Sequence, residues 1–305
     1  MVRAWRAFGP NSAFKSYGVR FPGTSLSRYG LLDRVEEKAS CISELIEVLE
    51  RTRKEWGARR LWHRGLEDEA YELQPTAYRE AEDFSETSAF NVFWAQGRGL
   101  AEFSEIDYRD EWSWYFAARH YGIPTRLLDW SANALVALLF AVKLPDGKKE
   151  YESENAALWL LDPTDFNEKL HGSDSIVVPC ESADDKAWLP GAEVDDQAEG
   201  GKNGILPVAL YPSQTNVRLV AQAGMFTVHG RARDSLDSVF SSSGVNARRV
   251  QIPGGSRGRI LEELGLLGLD PWSLYPEAPY LAQRLTSFYR GIASSANPNV
   301  VARAK

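Results

Sequence analysis

Residues 120–131 place several polar side chains between two apolar stretches, and this arrangement limits what the chain can fold into. A helix is predicted to end just before Gly122, which suits a C-terminal cap, and Pro124 cannot continue that helix. Ser131 is the predicted N-cap of a second, apolar helix over 133–143. Polar groups buried between such helices need hydrogen-bond partners. The segment is therefore a structural hydrogen-bond cluster or a binding site, and its place between rigid elements favours a site.

Composition and charge exclude several classes of protein. The chain has 305 residues, of which 44% are hydrophobic, enough for a sizeable core. Its net charge of −7 argues against general nucleic-acid binding, which needs a basic surface. The two cysteines and four histidines lack the spacing of metal ligands, so no metal site is predicted.

The chain is predicted to be cytoplasmic and to stay out of membranes. The few cysteines fit a reducing compartment. The first residues lack the apolar run of a signal peptide, and the longest apolar stretch, 134–142, is too short to cross a bilayer.

The pattern along the chain predicts an α+β fold in a single domain. Ser40 is a candidate N-cap for a helix that runs to about Trp56, and Gly65 is expected to stop a short strand over 59–64. Helices dominate the first half and strands the second, so the helices are expected to pack on a mixed or antiparallel sheet. The predicted strands of the second half are 156–161, 176–178, 205–211, 225–229 and 249–252.

Four regions follow from this reading. Residues 1–38 are interpreted as an N-terminal arm, 39–290 as the domain and 291–305 as a C-terminal tail. Residues 181–204 have a poor helix and strand signal, which indicates a solvated loop insertion rather than a flap over a site.

The first candidate site is the sequence Trp-His-Arg-Gly at residues 62–65. The planar guanidinium of Arg64 can bind a phosphate or carboxylate through two contacts, and Gly65 lets backbone approach a ligand. The alternative is that Arg64 pairs with a buried carboxylate and ties two elements together.

The second candidate site is the central polar segment. His120 is predicted at a helix C-terminus, where the helix dipole favours its charged form. Arg126 and Asp129 either bond each other or line the same cleft as Arg64. The helix that starts after Ser131 offers free N–H groups to an anion.

The third candidate lies in residues 218–226. Gln222 is predicted at the junction of a short helical turn and a strand, where its amide can bind a base, an amide or a hydroxyl. Satisfying loop backbone is the alternative role for this side chain.

Several familiar catalytic motifs are missing from the sequence. It has no G-x-G-x-x-G after a strand, no G-x-x-x-x-G-K-[ST], no G-x-S-x-G and no H-E-x-x-H. These absences exclude the sequence signatures of Rossmann dinucleotide binding, the P-loop, the α/β-hydrolases and the zinc proteases.

Taken together, these three candidate regions resemble the FRG domain family. The Arg-Gly core of the family signature is kept in Trp-His-Arg-Gly at 62–65, and Leu-x-Pro with a following Tyr-Arg matches at 73–79. The longest match is His-Tyr-Gly-Ile-Pro-Thr-Arg-Leu-Leu-Asp-Trp-Ser at 120–131. Further similarity lies in 218–226 and in 264–276, so the resemblance covers most of the chain.

The resemblance implies a bacterial or phage defence or stress effector. The order of a strand arginine, a central Thr/Ser segment and a later polar residue is similar to that of ADP-ribosyltransferases, which bind NAD. The fold is accordingly expected to be ADP-ribosyltransferase-like, with NAD or a related nucleotide as substrate and no required cofactor. The protein would then transfer or hydrolyse the glycosyl-linked group of NAD.

Each candidate residue has an expected role in that enzyme. The catalytic candidates are Arg64, His120, Asp129 and Gln222. The candidates for binding the nucleotide are Arg64, Gly65, Thr125, Arg126 and Ser131. Asp129 is the best placed carboxylate for the oxocarbenium-like transition state of glycosyl transfer.

A second hypothesis needs no catalysis. In it the protein is a sensor or interaction module of a defence system that recognises a phage protein or a nucleotide signal. This hypothesis predicts that ligand changes the oligomeric size of the protein, for example by forming a homo-oligomer, without consuming the ligand.

Overall fold

The computed structural model describes residues 37–80, 84–143, 154–179, 185–192, 204–213 and 217–295. These residues form the predicted α+β fold in one domain, with ten helices and one seven-stranded mixed sheet. The strands are β1 (Glu37–Lys38), β2 (Trp62–Leu66), β3 (Leu127–Ser131), β4 (Ala156–Leu161), β5 (Val208–Leu210), β6 (Gly224–Val228) and β7 (Ala247–Ile252).

The helices pack on both faces of this sheet. They are α1 (Ile42–Trp56), α2 (Thr76–Arg79), α3 (Glu86–Gly97), α4 (Glu111–His120), α5 (Ala134–Val142), α6 (Pro163–His171), α7 (Val217–Ala221), α8 (Leu236–Ser243), α9 (Arg257–Leu266) and α10 (Ala278–Ser295). None of the helices in the described parts of the chain is both long and apolar enough to span a membrane.

The strand order is β1-β7-β4-β2-β3-β6-β5. The β1–β7 pair is parallel and the other pairs are antiparallel, which makes the sheet mixed. The sheet takes its strands from both halves of the sequence, since β2 and β3 come from the first half and lie at its centre. The polar segment therefore lies in the middle of the sheet and not beside it.

The two central strands, β2 and β3, share fewer paired residues than any other neighbours in the sheet. Strand β2 pairs with β4 along its whole length, and β3 pairs with β6 along its whole length. Between β2 and β3, by contrast, the described pairing consists of His63 opposite Ser131. The two halves of the sheet diverge beyond this pair, and the divergence opens a gap at Arg64 and Asp129.

Helix α5 covers the sheet at this joint, and a glycine determines how closely it does so. An added Cβ on Gly65 would overlap the carbonyl oxygen of Ala137 and lie 2.6 Å from the backbone nitrogen of Ala141. Gly65 therefore does not stop the strand as predicted, because β2 continues through it to Leu66. Its missing side chain admits the backbone of α5.

Two predicted helix caps are wrong and a third is confirmed. Cys41 and not Ser40 occupies the N-cap of α1, and the backbone N–H of Ser40 donates to Glu44 instead. Asn133 and not Ser131 caps α5, since its Oδ1 accepts from Leu135 N at 2.9 Å while Ser131 still belongs to β3. Gly122 ends α4 as predicted, with a left-handed φ of 90°.

Parts of the predicted regions lie outside the described residues. This holds for the arm up to residue 36, for most of the loop insertion and for the tail after 295. Of the arm, Glu37 and Lys38 pair with β7. Within the predicted insertion, residues 185–188 form a 3₁₀ turn that buries Trp188.

We expect Gly65→Ala to destabilise the fold, because the new methyl group must push α5 away from β2. Overpacking of this kind typically costs about 1–3 kcal/mol, and contact with rigid backbone places this case at the upper end. Urea unfolding followed by circular dichroism measures the loss. Gly265→Ala in α9 is the matched control, since a Cβ there meets nothing within 4 Å, and it should leave stability equal or slightly higher. Equal stability of both variants would show that α5 does not approach as closely as described.

Candidate functional site

The gap between β2 and β3 contains a cavity of about 380 Å³, large enough for part of a small organic ligand. Strands β2 and β3 form its floor, and its walls come from α4, α5, α7 and the segment just before α10. The lining residues are His63, Arg64, Gly65, Phe116, Arg119, His120, Asp129, Trp130, Ser131, Ala137, Phe140, Arg218, Leu219, Gln222, Phe226 and Tyr275.

Arg64 lies where the strands separate. Its Nη1 donates to the backbone carbonyl of Asp129 at 2.5 Å, so a side chain takes the place of a strand-to-strand bond. Its Nε is buried and lacks a hydrogen-bond partner among the described residues. Burial, with repulsion from Arg119 and Arg79, lowers the pKa of Arg64 to about 10, although Asp129 acts in the opposite direction.

Asp129 is held mainly by Arg119, a residue of α4. Arg119 Nη2 donates to Asp129 Oδ2 at 2.5 Å and its Nε lies 3.4 Å from Oδ1, while Arg64 Nη1 lies 3.9 Å from Oδ2. Burial alone would raise the pKa of Asp129, but the charge and hydrogen bond of Arg119, followed by the charge of Arg64, lower it overall. Asp129 is therefore an ionised carboxylate, and its side chain remains 46% exposed towards the cavity.

A second charged group lies across the cavity. Arg218 donates from Nε and Nη2 to Glu277 Oε1, each at 2.6 Å, and its guanidinium lies 4.9 Å from the ring centre of Tyr275. His120 Nε2 is 3.8 Å from the same Glu277 oxygen. Burial and the charge of Arg218 lower the pKa of His120 despite Glu277. His120 is the last residue of α4, as predicted, but burial and Arg218 outweigh the effect of the helix end, so the neutral imidazole is favoured at pH 7.

Residues 59–150 match the family model described as FRG domain.

The chain contains an FRG domain.

No curated protein and no solved structure matches the chain. The matched part of the FRG domain contributes β2, α4, β3 and α5, and with them Arg64, Arg119, His120 and Asp129. The opposite wall of the cavity, with Arg218, lies outside the matched residues.

Two of the predicted site residues line the cavity but are already engaged in structural bonds. The hydroxyl of Ser131 donates to the backbone carbonyl of Gln222 at 2.7 Å and accepts from Asn133 N at 3.0 Å. The side-chain amide of Gln222 donates to the carbonyl of Leu274 at 3.1 Å, which fixes α7 against the segment before α10. Gln222 thus has the backbone-binding role that the sequence left open, and its amide oxygen remains available as an acceptor.

Two other predicted residues lie outside the cavity. Thr125 is fully buried, and its backbone carbonyl accepts from Ala77 N at 3.2 Å. Arg126 points away from the cavity, where its Nε donates to Glu86 at 2.8 Å and its Nη2 donates to the carbonyl of Trp188 at 2.9 Å. The predicted alternative of an Arg126–Asp129 pair is wrong, because each residue has a different partner.

Sequence reasoning missed two residues of the cavity region: Arg119, which binds the carboxylate of Asp129, and Glu277, which lies near the imidazole of His120. Arg119 directly precedes His120, and its spacing of ten residues from Asp129 across a glycine turn was an available signal. Glu277 gave no such signal, because it lies more than 150 residues from His120 in the sequence and comes near it only through folding. No group of three or more potential metal ligands occurs within the described residues.

His63 completes the floor of the cavity as a neutral side chain. It is buried, its Nδ1 lies 3.1 Å from the carbonyl oxygen of Ser131, and burial lowers its pKa to about 4. Because a carbonyl oxygen can only accept, Nδ1 carries the proton and Nε2 is the acceptor.

We expect Glu86→Gln to destabilise the protein by roughly 3–5 kcal/mol, because it leaves the guanidinium of Arg126 buried without its counter-charge. Both side chains of this pair are only 12% exposed. Chemical denaturation at pH 7 measures the loss. Glu111→Gln is the control, since its partner Lys186 is well exposed, and a change below ~1 kcal/mol is expected. A similarly small effect at Glu86 would contradict a structural role for Arg126.

We expect the stabilising effect of Asp129 to disappear in acid. Its pKa is lower in the folded than in the unfolded state. Its pairing therefore stabilises the fold fully above the unfolded value of ~3.9 and is lost as the pH falls through the folded value. The free energy of unfolding of the unmodified protein should exceed that of Asp129→Asn at pH 7, and the difference should begin to shrink at about pH 4 and vanish only below the folded pKa of Asp129. A constant difference would argue against ionisation of Asp129. Glu102→Gln at the exposed surface serves as the control.

Proposed function

We propose that the cavity binds NAD or a related nucleotide, with a phosphate against Arg64, and that the protein transfers or hydrolyses the glycosyl-linked group of that nucleotide. The proposal rests on the surroundings and hydrogen bonding of Arg64. Its guanidinium lies in a ligand-sized cavity, with a buried Nε that has no partner among the described residues. A phosphate oxygen would satisfy that donor through a charge-assisted hydrogen bond.

The charges around the cavity support an anionic ligand. Arg119 and Arg218 form close ion pairs with Asp129 and Glu277, at 2.5 Å and 2.6 Å. The nearest carboxylate oxygen to Arg64 within the described residues is 3.9 Å away and already bound by Arg119. The cavity therefore keeps an excess of positive charge at Arg64, and an anion that enters it would offset the repulsion among the arginines.

The aromatic walls of the cavity support a nucleotide over a bare anion. Phe116 and Phe140 line it, together with Tyr275 beside Arg218. Aromatic faces stack nucleobases and nicotinamide, which have planar rings of similar size. The cavity thus offers a charged region for phosphate and an apolar region for a ring.

The proposed reaction breaks the bond between ribose C1′ and the nicotinamide nitrogen. A bond to the oxygen of water, or of an acceptor, forms at C1′ and releases one proton, while the bonding electron pair leaves with nicotinamide. The transition state has oxocarbenium character and is stabilised by a nearby carboxylate. The ionised Asp129 supplies that charge, and the neutral His120 is able to accept the proton.

The biological role we propose is that of a bacterial or phage defence or stress effector. The support for it is the FRG domain at residues 59–150, since that family is widespread near mobile elements and defence genes. Depletion or modification of a nucleotide would be the effect of such a protein.

One observation favours a second candidate function, that of a nucleotide sensor without turnover. Asp129 is already bound by Arg119, and the hydroxyl of Ser131 and the amide of Gln222 are already engaged in structural bonds. A site built in this way binds a ligand rigidly and leaves few groups free for chemistry. In this alternative the ligand changes assembly and is recovered intact.

Incubation with NAD, with nicotinamide release and thermal shift measured together, tests the proposal. We expect NAD at about 100 times its Kd to stabilise the protein by ~2.7 kcal/mol, and Arg64→Ala to abolish both effects while the variant stays folded. Arg60→Ala is the control, because Arg60 precedes the same strand but is absent from the cavity lining. Stabilisation without nicotinamide release supports the sensor. No stabilisation and no release would refute the nucleotide site.

A further inference from the structure

Arg64 lines a second cavity as well as the first. This second cavity has a volume of about 230 Å³ and shares Arg64, Gly65 and Phe140 with the first one. It extends away from Asp129 towards α2 and the end of α5. The guanidinium of Arg64 therefore lies at the junction of two adjoining cavities, and a molecule bound there has room on both sides.

The charges continue across this junction. Arg119 lines the first cavity, and Arg79 and Lys143 line the second. Arg79 is close enough to Arg64 to lower its pKa by repulsion, after the larger effects of burial and Arg119. Four cationic side chains thus line the two adjoining cavities, and several positive charges suit a ligand with more than one phosphate.

The walls of the second cavity suit a nucleoside. Tyr71 is 56% exposed and offers a ring face for stacking. The amide nitrogen of Gln74 donates to the carbonyl of Arg233 at 3.4 Å, and its amide oxygen can accept from the edge of a base. The carboxylates of Glu67 and Glu72 also line the cavity, and carboxylates accept hydrogen bonds from ribose hydroxyls.

This inference rests on the function proposed above. We propose that the ligand is a dinucleotide, with its diphosphate against Arg64 and one nucleoside half in each cavity. The reacting ribose lies in the first cavity, beside Asp129 and His120. The other nucleoside lies in the second cavity, between Tyr71 and Arg79.

A single phosphate explains this arrangement less well than a diphosphate does. Arg64 uses Nη1 for the carbonyl of Asp129, and its side chain lines both cavities. A diphosphate has two linked groups, so one can reach Arg119 while the other reaches Arg79. Such a ligand gains from both cavities at once, because the second half binds without a further loss of translational freedom.

Calorimetric titration of the protein with NAD, nicotinamide mononucleotide and AMP tests this proposal. We expect NAD to bind at least about tenfold more tightly than either mononucleotide. Arg79→Gln and Lys143→Gln should each weaken NAD about three- to tenfold and leave nicotinamide mononucleotide unchanged. Arg64→Ala should weaken both ligands.

Arg259→Gln is the matched control, since Arg259 is an exposed arginine on α9 that is paired with Glu263. It should bind all three ligands like the unmodified protein. If nicotinamide mononucleotide binds as tightly as NAD, and Arg79→Gln and Lys143→Gln change neither, the dinucleotide proposal is overturned while the nucleotide site stands. If none of the three ligands binds, the proposed function is refuted and this inference with it.

Discussion

The side chain of Arg64 bridges the two halves of the sheet at the place where their backbones separate. Beyond His63 and Ser131 the described strands β2 and β3 exchange no ladder bonds, and Arg64 donates to the carbonyl of Asp129 instead. Asp129 in turn fixes Arg119 on α4. A sheet that opens in its middle leaves backbone groups without partners, which costs free energy unless side chains or a ligand bind them. Arg64, Asp129 and Arg119 together bridge that opening, and the cavity lies beside them.

The central segment contains two arginines with opposite roles, and their partners explain the difference. Arg126 pairs with Glu86 on α3 and attaches that helix to the sheet. Arg119 pairs with Asp129 inside the cavity. A structural hydrogen-bond cluster, one of the two alternatives for this segment, is therefore present, and it lies beside the cavity. The cluster holds α3 and α4 in place, and this fixes the position from which Arg119 reaches Asp129.

Local patterns in the sequence were sufficient for the fold class. The glycine and proline after α4 and the apolar runs of β4 and α5 all act over a few residues, and these elements are present. The predicted strand 176–178 is wrong, because the structure has only an isolated bridge there, between Val177 and Leu210. Arg64, His120, Asp129, Ser131 and Gln222 line one cavity, as the sequence suggested. The failures depend on distant partners. The residues around Arg126 do not show that Glu86 is its partner, and those around His120 do not show that Glu277 lies beside it. A glycine is required at position 65 because the backbone of α5 packs against it.

The single residue pair that joins β2 to β3 has a mechanical consequence. Each half of the sheet is held by a continuous ladder, whereas one residue pair joins the two halves. Backbone hydrogen bonds therefore resist distortion within each half more than they resist a change in the width of the opening. Arg64 spans that opening, and a long side chain tolerates a change in span that a strand ladder does not.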